Sequence, residues 1–264
     1  MQRTRDIVAS GDARIEVIAE GAGPLVVLLP SRGRDSEDYD EVAAGIAKAG
    51  YRVLRPQPRG TRGSIGPMTG LTLHDFARDV AAVIAHAGGG PAVVAGHAFG
   101  NWVARMTAAD HPRLVRGVAI LAAASKSYPD FAGAQRLVEA VKKAGDPAVA
   151  ETERLQHLRS AFFAPGHDPS EWLKGWYPEV NQSQFTAGRA TRQEEWWGAG
   201  SAPLLDLQAA LDPFKPRETA NELKEEFGER VTIAVIPDAS HALIPEHPAA
   251  VVEAIVAWLR KLPR

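Results

Sequence analysis

The stretch from Pro91 to Met106, P-A-V-V-A-G-H-A-F-G-N-W-V-A-R-M, constrains the fold of this chain more than any other. The apolar run Ala92-Val93-Val94-Ala95 reads as a buried strand. Helical spacing begins directly after Gly96-His97-Ala98-Phe99-Gly100, so the backbone must turn from strand to helix within a few residues. The two glycines give such a turn room and conformational freedom. A strand feeding straight into a helix is the building unit of a mostly parallel sheet with helices on its faces.

The flanking sequence repeats that alternation. Arg14 to Ala19 alternates polar and apolar residues, and Leu25 to Leu29 is a continuous apolar run, with a Gly21-Ala22-Gly23-Pro24 turn between them. Helical spacing runs from Ser36, a candidate cap, to Ala49, and again from Leu73 to Ala87. Tyr51 to Leu54 is expected as strand, followed by an irregular Pro/Gly/Arg loop from Arg55 to Gly70. Gly88-Gly89-Gly90 leads into the central stretch, and Val118 to Leu121 is the next strand. After an interruption come strand (Pro203 to Leu207), helix (Pro216 to Phe227), strand (Val231 to Ile236) and helix (His247 to Leu262). The expected class is α/β, a doubly wound, mostly parallel sheet.

The interruption, residues 125–200, is expected as a separate helical unit inserted into a core made of 1–124 and 201–264. Helices are expected from Ala134 to Lys143 and Val149 to Ala161, with breaks at Pro165-Gly166 and Pro178. It holds ten of the eighteen Phe, Trp and Tyr residues. Phe162, Trp172, Trp176, Tyr177, Trp196 and Trp197 are candidates for lining an apolar pocket. The plain alternative is that they make the insertion's own small core.

Composition removes several classes of function. A formal net charge of -2 offers no electrostatic case for nucleic acid or an anionic membrane. With no cysteine there is no thiolate catalysis, disulfide or Cys-based zinc site. The histidines show no ligand spacing, so no metal is expected. The glycines at 21 and 23 lack the third of a dinucleotide fingerprint, and no cofactor is expected. No apolar run approaches the roughly 20 residues of a membrane span, and the polar start is unlike a signal peptide, so a cytoplasmic protein is expected. The expected partner is a small molecule, and apolar faces of the insertion would also support a homodimer. Arginines 32, 34, 52, 55, 59 and 62 are expected as a solvated rim rather than an anion site.

The turn at 96–100 has the spacing of the G-x-S-x-G nucleophile elbow, with Ala98 where the nucleophile would stand. In a triad on such a sheet the order along the chain is nucleophile, acid, histidine. Asp212 and His241 follow the last two strands, at the sheet edge where open α/β folds place their sites. Asp206, inside a strand, and Asp238, too near His241 in one loop, are weaker candidates for the acid. Oxyanion donors would be the N–H of Phe99 and of Arg32 or Ser31 in the loop after Leu29. His97 is read as a packing or hydrogen-bonding residue beneath the turn.

With these features the chain resembles the α/β-hydrolase fold family over nearly its whole length. Leu25 to Ser36 is similar to its oxyanion loop, with Pro30-Ser31 where His-Gly is common. Arg59 to Ser64 is similar to its R-G-x-G-x-S loop with a shifted glycine, and the insertion to its helical cap. The resemblance implies acyl-transfer hydrolysis of an ester, lactone or amide, in which a serine at 98 attacks, His241 takes its proton and Asp212 orients the imidazole. Three accounts of Ala98 stay open: a hydrolase whose nucleophilic serine is replaced in this chain; an enzyme with a native Ala98 that uses His241 and Asp212 as a general base for non-covalent chemistry such as C–C cleavage, cyclisation, lyase chemistry or cofactor-free oxygenation; and a non-catalytic small-molecule binding protein.

Overall fold

A computed structural model describes residues 3–88 and 90–263, leaving Met1, Gln2, Arg264 and the middle residue of Gly88-Gly89-Gly90 outside the description. Among the described residues eight strands form one sheet: β1 (Thr4–Ser10), β2 (Ala13–Gly21), β3 (Leu25–Leu29), β4 (Arg52–Pro56), β5 (Ala92–His97), β6 (Val115–Leu121), β7 (Leu204–Ala209) and β8 (Val231–Ile236). Their spatial order is β1-β2-β4-β3-β5-β6-β7-β8. The β1–β2 and β2–β4 pairs are antiparallel; all later neighbours are parallel.

The continuous apolar strands arise because helices cover both faces. Alternate residues of β3, β5 and β6 (Val27, Val94, Val118, Ile120) face α2 (Leu73–His86) and α3 (Phe99–Asp110), packing on Phe76, Val80, Val103 and Met106. The intervening residues (Val26, Leu28, Val93, Ala95, Ala119) face α1 (Asp40–Lys48) and α10 (Pro248–Leu259), against Val42, Ile46, Val251 and Ile255. The period of two along each strand divides one apolar run between two cores.

Between β6 and β7 lie α4 (Phe131–Ala144), α5 (Glu151–Ala161), α6 (Pro178–Ala190) and α7 (Gln193–Trp196). Part of this insertion has its own cluster, in which Ala140, Val141, Leu158, Phe162, Phe163 and Trp172 pack together with Ala242 of the core. Its final part joins the main core: Trp196 and Trp197 lie in the cluster that holds α2 and α3. Pro178, expected as a break, starts α6 at its first position, where a missing N–H costs nothing.

Several expected boundaries move for local reasons. The helix expected from Ser36 begins as a 3-10 turn, Ser36–Tyr39, capped by Asp35, whose Oδ1 accepts the Glu37 N–H at 2.9 Å. Ser36 is buried instead, its N–H donated to Gln57 at 2.9 Å. The helix expected over Pro216–Phe227 is a 3-10 turn, Arg217–Thr219, followed by the short α8 (Glu222–Phe227). A single-turn α9 (Leu243–Glu246) precedes α10.

Candidate active site

The chain reverses at Ala98, whose φ of 49° and ψ of -113° lie outside the regions open to an alanine at low cost. Such strain, about 1–3 kcal/mol, persists only where surroundings over-determine it. Here they are contacts made to the main chain of the turn. The Ala98 N–H donates to Leu121 O at 3.0 Å, and the Asn101 side chain donates to the Ala98 carbonyl. A Cβ on Gly96 would stand 2.1 Å from Gly100 O, and one on Gly100 would stand 2.5 Å from Leu29 O and 2.6 Å from Pro30 O. The two glycines are therefore required by backbone approach: the first turn of α3 rests directly on the end of β3.

That contact also sets the loop after β3 beside the turn. Gly33, at φ 71°, donates its N–H to Gln184 Oε1 on α6 at 2.7 Å and accepts the Tyr177 N–H at 2.8 Å. Among the described residues, the main-chain N–H groups of Arg32 and Phe99 meet no acceptor. For Phe99 this follows from its place at a helix start.

Asp212 and His241 come from the ends of β7 and β8 and meet. His241 Nδ1 lies 3.0 Å from Asp212 Oδ2 and 3.2 Å from Oδ1, with both side chains buried. Asp212 Oδ1 also accepts the Phe214 N–H at 2.8 Å, so the same carboxylate shapes the Asp212-Pro213 turn. With Nδ1 engaged, Nε2 is the ring nitrogen left for the cavity. Asp206 sits in mid-strand, fully buried, and binds Gln208 Nε2 at 2.7 Å rather than a histidine. Asp238 offers its carbonyl, not its carboxylate, to His247.

His97 Nε2 lies 2.6 Å from the carbonyl oxygen of His241, so this nitrogen carries the proton and donates. Burial, reinforced by the nearby His241 and Arg34, lowers the His97 pKa to about 3, and the ring is neutral. It ties the residue before the turn to the loop that presents His241.

A cavity of about 180 Å³ joins these parts. Its wall comprises Ser31, Arg32, Ala98, Phe99, Trp102, Ala124, Val138, Val141, Phe162, Phe214 and His241. Val138, on α4, is also 47% exposed, which puts the opening beside that helix.

Of the six aromatic residues expected at a pocket, Phe162 is in the wall. Trp172 and Trp176 stand behind it, packed against Phe162 and over the Arg34 guanidinium. Tyr177 donates its hydroxyl to Asp35 at 2.9 Å. Trp196 stacks on the far side of Trp102, and Trp197 packs against Arg105. These five serve the insertion's packing or its seam with the core. Trp102, Phe214, Val138 and Val141 are wall residues that the sequence did not single out. Trp102 follows Ala98 by one helical turn, and Phe214 follows Asp212 by two residues, so both carried a signal.

The expected solvated rim of arginines is corrected by burial. Arg34, Arg55 and Arg59 are at most 2% exposed, each matched to carboxylates distant in sequence or one turn away. Arg55 binds Glu20 at 2.8 Å and Asp40 at 2.5 Å, and Arg59 binds Asp79 at 2.7 Å. Arg62, 44% exposed, fits the rim description. Among the described residues, no group of three or more His, Asp or Glu side chains could hold a metal ion. No helix among them is long and apolar enough to cross a membrane.

The sheet order, the strained turn after β5 and the acid–histidine pair after β7 and β8 define a hydrolase-type α/β fold. The sequence matches the alpha/beta hydrolase family over residues 26–254, and the chain belongs to that family. It is 30% identical over 167 residues to a protein of Mycobacterium phage D29 described as a non-heme haloperoxidase, covering 58% of each. It is 32% identical over 108 residues to a soluble epoxide hydrolase of Corynebacterium sp. (strain C12), covering 41% of this chain and 37% of that protein. The match thus spans less than two thirds of either relative's length. A thermophilic esterase from Thermogutta terrifontis superposes with a TM-score of 0.78 at 22% identity, covering 99% of both chains.

Proposed function

We propose that the chain is a hydrolase of small, largely apolar carbonyl compounds in which His241, oriented by Asp212, is the base. The N–H groups of Arg32 and Phe99 hold the developing oxyanion. With Ala98 in the nucleophile position no acyl-enzyme forms, and His241 acts on water. Nε2 takes a proton from the water as its oxygen bonds to the carbonyl carbon. The resulting tetrahedral oxyanion collapses, and the leaving group departs with the proton from Nε2. The observation that carries this reading is the buried His241–Asp212 pair at 3.0 Å on a cavity whose wall includes Ala98. The names of an esterase and an epoxide hydrolase among the relatives support hydrolysis.

A second reading, that a serine belongs at 98 and this chain is disarmed for acyl transfer, draws on the φ of 49° there. A backbone held in that conformation presents a side chain to the cavity, and a methyl group makes no chemical use of it. One experiment separates the two. The parent chain, Ala98→Ser and His241→Ala are assayed on a panel of 4-nitrophenyl esters and lactones. Water activation requires slow turnover by the parent that His241→Ala abolishes; turnover that survives in His241→Ala refutes it. The nucleophile position requires Ala98→Ser to gain several powers of ten, since loss of a triad nucleophile costs about 10⁶ in kcat. A gain below tenfold refutes that assignment.

A further inference from the structure

The arginines near the site are mostly matched. Arg34 binds Asp38, Arg55 binds Glu20 and Asp40, Arg59 binds Asp79, and Arg62 binds Asp35 and Glu37. Arg32 differs. Among the described residues it is in no ion pair, and although the residue as a whole is half-buried, its Nε is sealed from solvent without an acceptor. The guanidinium carbon lies 5.3 Å from the centroid of the Phe185 ring. A ring face attracts the charge but takes up none of the N–H directions. Burial lowers the Arg32 pKa to about 10, which leaves it charged at neutral pH. A half-buried cation without a counter-charge is unfavourable for folding, and a bound anion would offset that cost. This one is kept in the wall that also contains Ala98 and His241.

We propose that Arg32 binds a carboxylate carried by the substrate, so that the site takes small carbonyl compounds that are also organic acids. The proposal rests on the reading above that this cavity is where reaction occurs. The guanidinium presents a planar fork of donors that a carboxylate can meet with two hydrogen bonds, and the pair forms beside an apolar wall, partly shielded from water. The remainder of the wall, Trp102, Val138, Val141, Phe162 and Phe214, is apolar and suits a hydrocarbon or aromatic body. The main-chain N–H of Arg32 flanks the oxyanion position while its side chain meets the carboxylate. One residue then spans both groups, and the acid lies within a few bonds of the carbonyl under attack.

The test uses calorimetric titration of the unmodified chain with phenylacetate and with 2-phenylethanol, a neutral compound of similar size that cannot be hydrolysed. Phenylacetate is expected to bind at least about tenfold more tightly, the return on a charge-assisted contact in a partly shielded site. Arg32→Met is expected to remove that preference, and Arg32→Lys to keep part of it. Equal affinity for the two probes, or no binding of either at millimolar concentration, overturns the proposal. So does an anion preference that Arg32→Met leaves intact. If Arg32→Met fails to fold, the unmodified chain and Arg32→Lys still decide. Neither probe turns over, so an ester assay in which His241→Ala changes nothing would refute the catalytic reading and leave the carboxylate preference standing.

Discussion

Replacing Asp212 with asparagine tests the base directly, because the geometry dictates which way the new amide must face. Asp212 Oδ1 accepts the Phe214 N–H at 2.8 Å, and Oδ2 lies 3.0 Å from His241 Nδ1. An asparagine that keeps its oxygen toward Phe214 turns its NH₂ toward Nδ1. The ring must then accept at Nδ1 and carry its proton on Nε2, which ends its service as a base on the cavity side. The opposite orientation sets NH₂ against the Phe214 N–H, two donors face to face in a buried site, at about 1–3 kcal/mol. The first orientation prevails, and the wrong tautomer costs about 10⁴ in kcat, or about 5 kcal/mol of barrier. Two measurements check this. Ester turnover by Asp212→Asn, in the parent or Ala98→Ser background, should fall by that factor at neutral pH. The ¹⁵N shifts of the His241 ring should show the proton moved from Nδ1 to Nε2. A variant within tenfold of its parent, with the proton still on Nδ1, would refute the reasoning.

Two further outcomes follow from the packing of the turn. Gly100→Ala places a methyl 2.5 Å from Leu29 O and 2.6 Å from Pro30 O, so α3 must lift off β3; a loss of about 3 kcal/mol in urea unfolding is expected, and an unchanged midpoint would show that the contact is slack. His97 has its pKa lowered from 6.5 to about 3, so between those values the unfolded chain binds a proton that the native chain refuses. Its contribution is intact above pH 6.5 and is lost by about 1.4 kcal/mol per pH unit as pH falls towards 3. His97→Gln keeps a donor for the His241 carbonyl and removes the titration, so its stability should fall less than the parent's, by about 2 kcal/mol, between pH 7 and 5. Parallel stability curves for the two proteins would contradict the assignment.

Elements whose cause is local were legible in the sequence. The runs of β3 and β5 could be read because burial on both faces leaves few polar residues, and the turn at 98 because its glycines answer to backbone contacts within a few residues. The meeting of Asp212 with His241 could be read from chain order, since each follows a strand in one parallel sheet. β1 was not read, because its residues are mostly exposed and its place is fixed by main-chain pairing with β2 rather than by an apolar pattern. The buried arginines were misjudged because what makes burial tolerable, Asp79 for Arg59 or Glu20 for Arg55, lies 20 and 35 positions away. The aromatic insertion could not be resolved by composition. Phe162 in the wall and Trp172 behind it differ by one layer of packing, and residue type carries no trace of that.

Ala98 takes its meaning from how little the scaffold depends on it. The turn is held by the Ala98 N–H on Leu121 O, by the Gly96–Gly100 approach and by the rest of α3 on Leu29 and Pro30, all of them main-chain contacts. His241 is held from the other side by Asp212 and, through its carbonyl, by His97. None of these involves the side chain at 98. The strain of a positive φ falls on any residue with a Cβ, so alanine and serine bear it alike. The fold therefore presents a position at which chemistry changes with one oxygen atom while architecture does not. On the proposed function, whether the attacking group is a side-chain hydroxyl or a water is decided at that atom, with the pair His241–Asp212 as the base in either case.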